Sequence, residues 1–148
     1  MTAINRILIV DDEDNVRRML STAFALQGFE THCANNGRTA LHLFADIHPD
    51  VVLMDIRMPE MDGISFVEKA RPLLDGTAFI MLSQVSSKDM ISSAYEAGIE
   101  FFIQKPLNAV EVESVIRNVL KTLSMHRPIG KVQSLFETEF SENGRQSD

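Results

Sequence analysis

Asp55 stands at the end of Val51-Val52-Leu53-Met54, an uninterrupted apolar run entered from Pro49-Asp50. Other reactive side chains hold the same relation to an apolar run. Asp11 and Asp12 follow Ile7-Leu8-Ile9-Val10, Ser83 follows Ala78-Phe79-Ile80-Met81-Leu82, and Lys105 lies just past Phe101-Phe102-Ile103. Carboxylates crowded together repel one another, which raises their proton affinity unless a cation neutralises them. A hard divalent ion does so, and Mg²⁺ takes one or two carboxylates with waters and a phosphate. A carboxylate can attack phosphorus to form an aspartyl phosphate. That transfer depends on positioning and charge neutralisation more than on covalent help. Asp55 is therefore the candidate nucleophile, Asp11 and Asp12 the metal ligands, and Lys105 and Ser83 the partners of the remaining phosphoryl oxygens. Taken singly, each has a plainer use: the acidic pair or Ser83 as helix caps, Asp55 in a turn, Lys105 as a solvated charge. Their common position at strand ends argues for a site.

The elements that must hold them follow from periodicity. Short apolar runs bounded by turn residues mark strands buried on both faces, as in a parallel sheet. Ile7–Val10, Val51–Met54 and Ala78–Leu82 are of this kind. Phe29–Ala34 mixes Glu30, Thr31 and His32 with apolar residues, and Phe101–Ile103 is short, so both suit edges. Between them lie helical stripes: Val16, Met19, Leu20, Ala23 and Phe24, then Ala40, Leu43, Phe44 and Ile47. Phe66, Val67, Ala70 and Leu73 or Leu74 follow, then Met90, Ile91, Ala94 and Ala97. Val112, Val115, Ile116, Val119, Leu120 and Leu123 form the most regular stripe. Expected stops are Gly28, Pro49, Pro72 near Arg71, and Gly98, with Asn35-Asn36-Gly37 read as a turn. Asp62 and Ser86-Ser87 are expected to start helices. The alternation predicts an α/β, doubly wound, flavodoxin-like sandwich whose parallel sheet has the order 2-1-3-4-5. That order sets the ends of the first and third strands side by side, where such sheets open their ligand crevice.

The bulk numbers agree with one ordinary domain. The chain has 148 residues, 45% hydrophobic and 24% charged. A net charge of −7 argues against a broad basic face for nucleic acid. A single cysteine, Cys33, excludes an internal disulfide framework. No stretch approaches the ~20 apolar residues of a membrane span, so the expectation is a soluble, cytoplasmic protein. His32, His42, His48 and His126 share no metal-ligand spacing. Met58 and Met61 read as packing residues near the site.

From about Arg6 to Ser124 the chain resembles the receiver domain of two-component response regulators. The resemblance rests on Ile7-Leu8-Ile9-Val10-Asp11-Asp12-Glu13, Leu53-Met54-Asp55, Met58-Pro59-Glu60-Met61-Asp62-Gly63, Leu82-Ser83 and Lys105-Pro106. It implies a phosphorelay switch rather than an enzyme, with Asp55 as phosphoacceptor. Asp12, Asp55 and the backbone carbonyl of Arg57 would bind Mg²⁺ directly, and Asp11 through a coordinated water. The donor would be a sensor histidine kinase, a phosphotransfer protein or a small phosphodonor. The Lys105-Pro106 bond would be cis. Ser83 and Phe102 would report the phosphorylated state to a face made of the fourth helix, fifth strand and fifth helix, where a homodimer or partner would form. The plain alternative for Phe102 is packing against the last helix. Tyr95 reads as a half-exposed packing residue.

Two other readings compete. A haloacid-dehalogenase-like phosphatase also uses an aspartyl nucleophile, but needs a second acid two residues on, where this chain has Arg57. A receiver that binds partners without phosphate would not need the acidic pair or Lys105. Residues 1–124 are thus expected to form the domain and 125–148 a tail. Pro128 and Gly130 oppose helix continuation. Val132, Leu135, Phe136 and Phe140 suggest a short amphipathic helix over 131–140 that docks on a partner or on a sister chain, the plain alternative being a linker to an output domain or an end without function. Ser141 to Asp148 is polar and expected to be disordered. Gln84 is longer than the small residue common after the switch hydroxyl and should narrow access. Arg57 and Val85 border the path of a hydrolytic water, and neither is an acid or amide that would orient it. The phosphorylated form is therefore expected not to be short-lived; a half-life of seconds in the purified protein would contradict this.

Overall fold

The computed structural model describes residues 5–58, 60–74, 76–84 and 87–126, with the backbone alone for 124–126. Pro59, Val85, Ser86 and the expected helix over 131–140 lie outside these. The strands are β1 (Arg6–Val10), β2 (Glu30–Ala34), β3 (Val51–Asp55), β4 (Ala78–Ser83) and β5 (Phe101–Gln104). The helices are α1 (Asp14–Leu26), α2 (Gly37–Ile47), α3 (Gly63–Ala70), α4 (Lys88–Ala97) and α5 (Ala109–His126). All strand pairs are parallel, in the order β2-β1-β3-β4-β5. The three apolar runs are central and wholly buried except at Arg6, and the mixed and short runs are the edges, as their composition requires.

Alternation along the central strands feeds two layers. Leu8, Val10, Val52, Met54, Phe79 and Met81 point to one side, against Phe44 of α2, Phe66 and Val67 of α3 and Ala94 of α4. Ile7, Ile9, Val51, Leu53, Ile80 and Leu82 point to the other, against Leu20 and Phe24 of α1 and Val112 and Ile116 of α5. The expected helical stripes are the buried or half-buried faces, except that Met19 and Leu73 are exposed; of the alternatives Leu73 and Leu74, it is Leu74 that packs on the core.

Local chemistry sets the ends. Asn36 is not a turn residue but the cap of α2, its side chain accepting the Thr39 N–H at 2.8 Å. Asp62 caps α3 through the Ser65 N–H, and Ser87 caps α4 through the Met90 N–H. Gly28 and Gly98 take positive φ just past α1 and α4, where a side chain would be strained. Pro72 ends α3 at Ala70, although the chain continues for one 3₁₀ turn over Arg71–Leu73. Helix α2 stops at Ile47, with His48 left-handed before Pro49.

The first layer is keyed by three rings. Phe44 and Phe79 stack with centroids 5.9 Å apart, and Phe66 meets them edge-on at 6.0 and 6.3 Å. Each ring is essentially inaccessible to solvent. Phe79→Ala should therefore cost about 3–5 kcal/mol of unfolding free energy, read by urea denaturation. A loss below about 1 kcal/mol would contradict a close-packed cluster.

Candidate functional site

The sheet order places the carboxyl ends of β1, β3, β4 and β5 on one rim. There a cleft of about 190 Å³ is lined by Asp12, Glu13, Asp55, Arg57, Ser83, Gln84 and Lys105. Drug-sized ligands need roughly 300–1,000 Å³; this cleft suits an ion and a phosphoryl group.

Asp55 is the last residue of β3. Its Oδ1 accepts the Arg57 N–H at 3.0 Å and its Oδ2 meets the Lys105 ammonium at 2.9 Å. Gly63 stands directly behind it. A Cβ on Gly63 would lie 3.0 Å from the Asp55 carbonyl oxygen and 2.8 Å from Met81 Sδ, so only glycine lets α3 approach so closely. Asp11 follows β1, tied by its N–H to the Ala34 carbonyl at the end of β2. Its Oδ1 accepts the Glu13 N–H at 2.9 Å, a local turn leading into α1 rather than the expected helix cap, since Glu13 itself holds the cap position. Its Oδ2 is buried, accepts no well-formed hydrogen bond, and faces Lys105 Nζ at 2.8 Å. Asp12 is exposed at the mouth.

Lys105 arrives through an extension of the sheet beyond β5, its N–H donating to the Ser83 carbonyl at 2.7 Å. The Lys105-Pro106 bond is cis, as expected. Burial works against the ammonium, but Asp11 and Asp55 outweigh it and hold its pKa above the ordinary lysine value. Asp11 shows the opposite balance: burial dominates and raises its pKa, with Lys105 offsetting only part. Ser83 is buried at the end of β4 and lines the cleft. Phe102 is half-buried and packs on the α2–α3–α4 side, against the layer that also holds Met81, Ala94 and Ile99, rather than against the last helix. Tyr95 is 47% exposed.

Ligand oxygens of Asp11, Asp12 and Asp55 lie within 4.8 Å of one another, a hard-oxygen set that fits a divalent ion. The under-satisfied Asp11 Oδ2 points the same way. One residue escaped the sequence reading: Glu13, whose Oε1 reaches Lys105 Nζ at 3.2 Å. The available signal was a third consecutive acid after β1.

A family model for the response regulator receiver domain matches residues 7–117. The chain belongs to that family. Regulatory protein AtoC of Escherichia coli is 55% identical over 140 residues, 95% of this chain, and the chain spans 30% of that protein's length. The chemotaxis protein CheY of Bacillus subtilis is 38% identical over 117 residues, covering 78% of this chain and 98% of CheY. Among solved structures, a CheY-like receiver from Methanospirillum hungatei superposes with a TM-score of 0.80 at 27% identity, over 83% of this chain and 98% of its own. Receiver domains are signalling switches of two-component systems, and the sheet order and helix layers here are those of their CheY-like, flavodoxin fold.

The receiver's acidic cleft carries a stability consequence. Because the Asp11 pKa is raised, its contribution is favourable on the acid side and lost as pH climbs through the folded value. Lys105, also raised, contributes across neutral pH and loses its effect only above the ordinary lysine range. Asp11→Asn leaves Lys105 paired with Asp55 and Glu13 while removing a buried charge. In metal-free buffer it should gain about 1 kcal/mol, measured by thermal denaturation with a chelator. A loss of stability would mean that the Asp11–Lys105 pair outweighs burial.

Proposed function

We propose that this receiver domain accepts a phosphoryl group on Asp55 from a phosphohistidine of a sensor histidine kinase or phosphotransfer protein, in a Mg²⁺-dependent reaction in the cytoplasm. The observation that carries the reading is the Asp55 carboxylate set 2.9 Å from a buried ammonium, beside two more aspartates. Asp12, Asp55 and the Arg57 carbonyl would hold the ion directly, and Asp11 through a water. Bound there, Mg²⁺ supplies the positive charge that lets an anionic phosphoryl group enter an acidic cleft. An Asp55 oxygen attacks phosphorus as the donor's P–N bond breaks, and the imidazole nitrogen leaves with the electron pair. Lys105 meets one phosphoryl oxygen and the Ser83 hydroxyl donates to another.

The new charge and acceptor oxygens draw Ser83 inward, and Phe102 turns into the space so vacated. This would bias the α4-β5-α5 face between two states. That face carries the exposed rings of Tyr95 and Phe101. It also holds an apolar groove lined by Phe101, Val119 and Leu123. Both features suit a homodimer or an output partner. The match to AtoC extends over 140 residues, beyond the 117 shared with CheY, which supports reading residues 125–148 as a connection toward an effector.

Incubation with acetyl phosphate and Mg²⁺ should add the mass of one phosphoryl group to the wild type and none to Asp55→Ala, read by intact-protein mass spectrometry. Chelation of Mg²⁺ should suppress the addition. An unlabelled wild type, or equal labelling of the variant, overturns the reading.

A further inference from the structure

The Lys105 ammonium donates hydrogen bonds to Asp55 at 2.9 Å and Glu13 at 3.2 Å and stands in ion-pair contact with Asp11 at 2.8 Å, so carboxylates crowd it on three sides. On the proposed reading, which this inference deepens, Lys105 must meet an oxygen of the incoming phosphoryl group. One carboxylate has to give up its place. Asp11 and Asp55 are the buried partners, and Asp55 is the reacting group. Glu13 differs on each count. Its contact is the longest, and its side chain is 52% exposed. Its backbone is the N-terminal cap residue of α1, yet its carboxylate caps no N–H of that helix and turns to Lys105 instead. On release it regains water, so its departure costs least.

We propose that Glu13 is a displaceable cover on Lys105, a positioning residue that keeps the ammonium occupied until a phosphoryl oxygen replaces it. It restrains phosphorylation in two ways. Lys105 must be uncovered before it can pair with the phosphoryl group, and the Glu13 charge at the cleft mouth repels an anionic donor. The chemical step is unchanged. With acetyl phosphate, an Asp55 oxygen bonds to phosphorus, the P–O bond to the acetyl group breaks, and acetate leaves with the electron pair, with no net proton transfer.

The test compares the wild type, Glu13→Gln and Glu13→Asp. All are measured at fixed Mg²⁺ with acetyl phosphate and with phosphoramidate, which carries less net negative charge. Glu13→Gln keeps the size and loses the charge; its phosphorylation rate with acetyl phosphate should rise about three- to tenfold, and less with phosphoramidate. Glu13→Asp keeps the charge but is one methylene shorter, so it should fall between the other two. The Mg²⁺-induced rise in melting temperature should be the same in all three. An unchanged or slower Glu13→Gln overturns the inference. So does a Glu13→Asp rate equal to the wild type, because charge alone would then account for the effect. A Mg²⁺-induced shift reduced by half or more in Glu13→Gln would assign Glu13 to the metal instead, and also overturns it. If the wild type itself takes no phosphate, the proposed phosphoacceptor role of Asp55 falls, and this inference with it.

Discussion

Everything at this site depends on one cation shared among three anions. The Lys105 ammonium lies within 3.2 Å of Asp11, Asp55 and Glu13, while Asp12 adds a further negative charge at the mouth. Such a cleft is not neutral. It is held together by one buried positive charge and remains short of another, an imbalance that a divalent ion and an anionic group can correct together. The apolar layers on both sides of the sheet offset this local cost, since each fully buried Leu, Ile or Phe contributes about 1.5–3 kcal/mol. The domain tolerates an unfavourable charge pattern on its rim because its interior is so uniformly apolar.

The fold was legible because parallel strands buried on both faces leave an unambiguous trace. Ile7–Val10, Val51–Met54 and Ala78–Leu82 carry no polar residue and are too short for buried helices, which leaves a central strand as their natural place. Their order followed from the contrast with Phe29–Ala34 and with the short fifth run. Once the order stood, the positions of Asp11, Asp12, Asp55, Ser83 and Lys105 on one rim were a matter of counting. The strands proved slightly longer than their apolar runs, with Asp55 and Ser83 as last members of the ladder. Polar residues at strand ends still pair their backbone, so the change in polarity precedes the end of the strand.

Less legible was anything decided by side-chain direction. Nothing in Asp11-Asp12-Glu13 says which acid turns back onto the backbone, which stands at the cleft mouth and which reach Lys105; that depends on how α1 leaves the strand. Asn36 resembles a turn residue in composition, yet it accepts the Thr39 N–H because the helix begins at once. Phe102 sits between two layers in sequence terms. The pleat sends Ile103 toward α5 and Phe102 toward α4, a choice settled by one residue of register.

That register has a kinetic side. The two halves of the acidic cleft come from strands 44 residues apart, and the same separation joins the Arg6 N–H to the Asp50 carboxylate at the base of the β1–β3 pair. A chain emerging from the ribosome can therefore close β1 on β2 while its other partner, β3, is still missing. For that interval β1 presents an open edge, the condition in which slow parallel sheets are most exposed to aggregation. A one-residue slip would turn the alternating side chains of β1 to the wrong layers and separate Asp11 from Asp55. Assembly of the cleft is thus also a check on correct strand pairing: only a chain with the right register holds its charges where they can work.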